Sequence, residues 1–265
     1  MIENKNTQKA VGAVIIIVLI GFVGWYIARD FSLTDTDTIE DGSIESLVES
    51  GDAEVNEIPV GVDLNIDAVV RPELGRAVVM PERFSSEAIV ILLNNIATLT
   101  EQLKEDSNSF HSWSDLAAQY KIIDDFEGAK EIWEFLITTA KENVGPYINL
   151  GNLYHYQLKD YEKAESAFKD ALNINDKLEQ AYSGLHELYR YSYKIDTTLA
   201  VDILKEGVVA IPDSVDLRML LASYYTKLGM NDDARAVYEE VLIMANTAGD
   251  TNLVTIVEAA IESLK

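Results

Sequence analysis

The chain of 265 residues has no cysteine, which excludes disulfide scaffolds, thiolate zinc sites, iron–sulfur clusters and thiol nucleophiles. It has only 3 histidines and 5 prolines, so histidine-based metal sites have few ligands to draw on and helix breakers are scarce. Basic residues are outnumbered, 21 Lys and Arg against 45 Asp and Glu, for a formal charge of −24. Such a chain repels nucleic-acid phosphate instead of neutralising it, and no nucleic-acid partner is expected. What is present is 48% hydrophobic residues, enough for a packed core in one or two domains.

The charge is unevenly spread. Residues 1–29 carry Lys5, Lys9 and Arg29 against Glu3, whereas residues 30–70 hold twelve acids and no base, half of the net charge. Residues 71–84 come to +1 and residues 85–265 to −15. Within the head, the 19 residues from Ala10 to Ala28 carry no charge. As a helix rising about 1.5 Å per residue they would span about 28 Å, enough to cross a bilayer. A cleaved secretory signal is the rival reading, but the apolar run is longer than a usual signal core and no small-x-small triplet follows it. Lys5 and Lys9 precede the span, Trp25 and Tyr26 lie at its far end, and only Arg29 follows closely. The expectation is a single-pass membrane protein with residues 1–29 as cytoplasmic stub and anchor and everything after Asp30 extracytoplasmic.

Residues 30–59 are rich in Asp, Glu, Ser and Thr, cannot bury enough apolar area to offset chain entropy, and read as a disordered acidic tether. Asp35, Asp37, Asp41 and Gly42 suggest a calcium loop, but counting from Asp35 the fifth position is Ile39 and the twelfth is Ser46, so the ligand pattern fails. Residues 60–84 form an arm and junction. Val60, Val62, Leu64, Ile66, Ala68 and Val70 alternate with polar residues at the period of a strand. This arm either lies along its own domain or pairs with a partner's sheet edge.

The remainder repeats itself. Ala129, Ala164, Ala200 and Ala234 recur at intervals of 35, 36 and 34 residues, each followed four residues later by a large side chain: Trp133, Phe168, Leu204 and Tyr238. Upstream of each stands a tyrosine, Tyr120, Tyr154, Tyr189 and Tyr225, itself preceded by four residues by Leu116, Leu150, Leu185 and Leu221. Small residues at fixed positions let paired helices approach, and large ones fill the gap to the next unit. No unit buries its apolar face alone, so the units stack. The chain here resembles the tetratricopeptide repeat family over about residues 110–246. The first unit supplies Trp113, Leu116, Ala117, Tyr120, Phe126, Ala129 and Trp133, and the second Tyr147, Leu150, Gly151, Tyr154, Tyr161, Ala164 and Phe168 with one extra loop residue. The third has two extra residues between its helices and His186 at a small-residue position; the fourth has Arg218 where the family prefers an aromatic.

The resemblance implies an all-α fold: a right-handed superhelix of about four helical hairpins. Flanking it, Ser86–Lys104 reads as a helix with Ile89, Leu92, Leu93, Ile96, Leu99 and Leu103 at helical spacing, within an N-terminal segment 85–109. Leu253–Leu264 reads as a closing helix within residues 247–265, with Val257, Ile261 and Leu264 inward and Glu258 and Glu262 outward. Both serve as caps.

No Gly-rich phosphate loop, G-x-S-x-G elbow or close histidine pair occurs, so no catalytic residues, metal, cofactor or small-molecule substrate are expected. The helix His186-Glu187-Leu188-Tyr189-Arg190 starts like a zinc-protease motif but has Arg190 in place of the second ligand. The resemblance implies instead a protein or peptide partner held in a concave groove lined by the first helix of each unit. Matching positions are Lys121, Asn149, Asn152, His155, Tyr156, Glu187, Arg190, Tyr191, Ser223 and Lys227. The family's carboxylate-gripping version wants a lysine and an asparagine in the first unit, where this chain has Ser114 and Ala118. The expectation is a membrane-anchored binding scaffold, with a cytoplasmic-facing adaptor and a self-assembling envelope protein as alternatives.

Overall fold

The computed structural model describes residues 70–195 and 197–265. The anchor, the tether and arm residues 60–69 lie outside the described residues. Among the described residues no helix is long and apolar enough to cross a membrane.

Among the described residues ten α-helices follow one another: α1 (Ser86–Glu105), α2 (Phe110–Ile122), α3 (Phe126–Thr139), α4 (Val144–Leu153), α5 (Tyr161–Ile174), α6 (Glu179–Tyr191), α7 (Leu199–Ala210), α8 (Val215–Lys227), α9 (Asn231–Ala248) and α10 (Thr251–Glu262). Helices α2 to α9 pair as four antiparallel hairpins, each stacked on the next, to give an all-helical solenoid. Starts are capped by side chains that accept backbone N–H groups left over in the first turn: Ser85, Ser109, Asp125, Asn143, Asp160, Ser214 and Asp250.

The turn inside a hairpin recurs. Asp124, Lys159 and Gly229 adopt left-handed backbone (φ 63°, 58° and 72°) immediately before the residue that opens the second helix. In the first and fourth units that next residue's N–H bonds to a carbonyl five residues back, Asp125 to Tyr120 (2.9 Å) and Met230 to Tyr225 (3.0 Å). In the second unit Asp160 reaches six back, to Tyr154 (3.0 Å). The extra residue there is absorbed by winding Tyr154–Leu158 as a π-helical turn at the end of α4, leaving the turn geometry intact. In the third unit the two extra residues lengthen the loop, and Lys194 takes the left-handed conformation (φ 57°).

The core follows the large–small pairing. Phe168 of α5 is fully buried between Gly151 of α4 and Gly184 of α6. A Cβ at Gly151 would lie 2.6 Å from the ring and one at Gly184 2.5 Å, so neither position has room for alanine. Gly207 of α7 meets Tyr182 in the same way, at 2.8 Å. Trp113, Trp133, Leu116, Leu136, Leu185 and Leu204 complete the interior.

The two ends differ in how well they match expectation. Leu93, one of the apolar residues at helical spacing, is 41% exposed together with Val90 and Ile91, because α1 packs on α2 and is uncovered on its far side. At the other end Val257 and Leu264 are buried and Ile261 partly so, with Glu258 and Glu262 in solvent. Junction residues 70–84 dock on the first unit: Leu74, Val78, Met80 and Phe84 pack on the core. Three arginines pin the segment. Arg71 donates to Ser107 and Asn108 (both 2.9 Å), Arg76 to Asp125 (2.6 Å) and Glu131 (3.1 Å), and Arg83 to Asp124 and the carbonyl of Ile122.

Candidate functional site

The first helices α4, α6 and α8 touch one another directly across successive units, which puts them on the inner side of the array. Their residues not used in hairpin packing therefore share one face. Asn149, Asn152 and Ser223 are half-buried on it, and their side chains make no hydrogen bond among the described residues. Tyr156, exposed at the π-helical turn, donates its hydroxyl to Glu187 of the next unit. Lys121 of α2 lies over the Trp133 ring, 5.9 Å from its centroid.

His155 departs from the groove reading. It is buried, 3% exposed, sharing a hydrogen bond with Ser192 Oγ (3.0 Å), stacked on Tyr156 (4.1 Å between ring centroids) and edge-on to Tyr161. The π-helical turn moves His155 off the surface and presents Tyr156 instead. His155 thus supports Tyr156 from behind and is not a groove-surface residue.

His186 occupies the small-residue position of the third unit and is wholly buried. Its Nδ1 donates to the carbonyl of Ala200 (2.8 Å), which leaves Nε2 the unprotonated nitrogen, buried and without a partner. Its ring packs T-shaped against that of Tyr224, the centroids 4.8 Å apart. Burial holds both His155 and His186 below the ordinary imidazole pKa, so each is neutral at pH 7.

Arg190 completes this group. Its guanidinium lies over Tyr191 (4.5 Å) and Tyr224 (4.8 Å). Tyr224 belongs to the face but escapes a reading by spacing, because the adjacent Tyr225 is the repeat's core tyrosine and one helical step separates interior from surface. Lys227, exposed at the end of α8, lies near His186 with Arg190 and Glu187.

Behind the face, α5, α6 and the long third-unit loop are tied by one carboxylate. Glu165, 9% exposed, accepts Tyr189 Oη (2.6 Å), Lys169 Nζ and Lys194 Nζ (both 2.7 Å). Burial alone would raise its pKa, but the three donors outweigh it and bring the group down to about 2. The described residues contain no group of three or more His, Asp or Glu side chains able to hold a metal ion.

No curated protein sequence matches this one. Among solved structures, the chain is similar to MamA, with 17% identity and a TM-score of 0.49 over 65% of this chain and 99% of that one. It is also similar to the thermophilic TPR protein TTC0263 of Thermus thermophilus, with 24% identity and a TM-score of 0.44 over 65% and 93%. A third is YrrB, a TPR protein with an unusual peptide-binding site, with 14% identity and a TM-score of 0.43 over 63% and 92%. Residues 144–178 and 215–246 match the family model of the tetratricopeptide repeat, and these segments coincide with the second and fourth hairpins. By that match the second and fourth hairpins are tetratricopeptide repeats, and the first and third stack with them in the same helical array.

Proposed function

We propose that the chain is a binding scaffold that holds an extended protein segment along the inner face of α4, α6 and α8, and that residues 10–28 anchor it in a membrane with the repeats extracytoplasmic. The observation that carries the binding reading is the row of half-buried polar groups without partners, Asn149, Asn152 and Ser223. None of their side-chain polar atoms is among the buried unpartnered ones, so they stay open to water, and a peptide backbone laid across them can take the place of that water. Tyr156 and Tyr191 flank them as exposed aromatic contacts of low entropy cost. Asn152→Ala combined with Tyr156→Ala weakens partner capture while circular dichroism stays unchanged; undiminished capture removes this face from consideration.

The anchor reading rests on the uncharged run from Ala10 to Ala28 and on Lys5 and Lys9 before it. A thiol placed in the tether by Ser50→Cys has no background, since the chain has no cysteine. Labelling of intact cells by a membrane-impermeant maleimide is the expected result. Labelling only after lysis makes the protein a cytoplasmic-facing adaptor.

A further inference from the structure

In a chain with more than twice as many acids as bases, a cation without a carboxylate partner is informative. Many of the basic side chains in the repeats are paired, among them Lys130, Lys163, Lys169, Lys194 and Arg218. Arg190 and Lys227 are not, as Lys141, Lys159, Lys177, Lys205 and Arg235 are not; these two differ from the others in facing each other's units beside one buried side chain. Both lie near His186, where α6 and α8 meet on the inner face. Glu187, the acid beside them, accepts the Tyr156 hydroxyl on the side of the second unit and forms no ion pair with Arg190 among the described residues.

Arg190 is also held in place. Its guanidinium lies over the rings of Tyr191 and Tyr224, and Tyr224 packs T-shaped in turn against the buried His186, whose Nδ1 is tied to the α7 carbonyl of Ala200. Stacking on aromatic faces leaves the guanidinium edge and its N–H groups for another partner. A fork of N–H donors matches the two oxygens of a carboxylate, and a nearby ammonium adds a point charge without geometric demand. His186 and the stacked arginine thus form a unit: the bulky imidazole at a position where repeat helices ordinarily carry a small residue sets the ring that orients the guanidinium.

We infer that Arg190 and Lys227 form a carboxylate-binding subsite for an acidic side chain of a peptide lying along the inner face, at the junction of the third and fourth units. This rests on the proposed peptide-binding reading of that face and names its partner's chemistry. The subsite lies away from the first unit, where Ser114 and Ala118 offer no cation. It also gives the groove a polarity: the acid sits over the third and fourth units, and the neutral amides Asn149 and Asn152 meet backbone over the second.

The test uses the full chain in detergent and two fluorescent ten-residue probes with blocked ends, one alternating Glu and Ala and the other Gln and Ala. The glutamate probe is expected to bind about tenfold more tightly than the glutamine probe. Lys227→Gln, at an exposed position where folding is not at issue, removes most of that preference, and Arg190→Gln removes it entirely. Arg190→Lys restores charge without the fork and recovers only part of it, while Lys205→Gln on α7 leaves it unchanged. Equal binding of the two probes, or a preference indifferent to Arg190 and Lys227, overturns the subsite. If both probes bind equally and Asn152→Ala weakens both, the peptide-binding face stands and only the carboxylate subsite fails. If neither binds, both fail.

Discussion

Phe168 shows how much a single residue controls here. One ring fills the space between α4 and α6 because Gly151 and Gly184 leave it room, and an added methyl at either would come within 2.6 Å of a ring that has no exposed side to yield towards. Gly184→Ala is expected to destabilise the array by about 1–3 kcal/mol, read as a shift of the urea midpoint. The alanine–aromatic positions and Gly151 were legible from their recurrence, and the structure packs them as the spacing requires, whereas the close approaches at Gly184 and Gly207 appear only in the packing. His155 was not legible, because one extra residue in the second unit is taken up inside the helix and rotates the residues after Leu153. Burial of His155 and His186 in neutral form sets the direction of the acid response. Their folded-state pKa values lie below the unfolded value of about 6.5, so their contribution is complete above that pH and is lost as pH falls below it. The melting temperature should therefore drop between pH 7 and about 5.5, and His186→Gln, with an amide able to donate to Ala200, should show a smaller drop over the same interval. Equal drops in the two proteins would take the effect away from His186.

Elements are held by local codes and a few long-range ties, and the two differ in how far sequence reveals them. Caps, hairpin turns and the helix boundaries follow from neighbouring residues. The docking of residues 70–84 does not, since Arg71, Arg76 and Arg83 find partners 36 to 55 residues away through exposed or half-exposed pairs. Such pairs are weak singly, and Arg76→Ala is expected to cost about 0.5–1 kcal/mol. Its clearer signature is faster hydrogen exchange confined to residues 70–84 and the start of α3; unaltered exchange there would mean the apolar contacts of Leu74, Val78 and Phe84 suffice. The Glu165 tie has a sharper pH signature. Its folded pKa of about 2 lies below the ordinary carboxyl value, so the stability it contributes is full above about pH 4.5 and disappears as pH falls towards 2. Glu165→Gln should flatten that limb of the acid unfolding curve while lowering stability at pH 7. Leu93 illustrates the opposite failure of pattern reading: periodicity marks an apolar stripe, but a terminal helix with one neighbour covers only part of it.

At the scale of the molecule, the stacked repeat array brings residues from separate units onto one inner face. Asn149, Asn152, Arg190, Tyr191, Ser223 and Lys227 lie on its three touching first helices, and Tyr156 in the π-helical turn that follows α4. Their interplay emerges only in three dimensions, as in the contact of Arg190 with Tyr224 of the following unit. The proposed account makes this face the place where a partner's extended segment binds. The most direct measurement places a photo-crosslinking amino acid at Ser223 on the inner face or, for comparison, at Ser166 on the exposed side of α5, in the full chain expressed in cells. Adducts of discrete mass formed from position 223 and lost on adding Asn152→Ala and Tyr156→Ala are the predicted result. Adducts formed equally from both positions, or only from position 166, would contradict it.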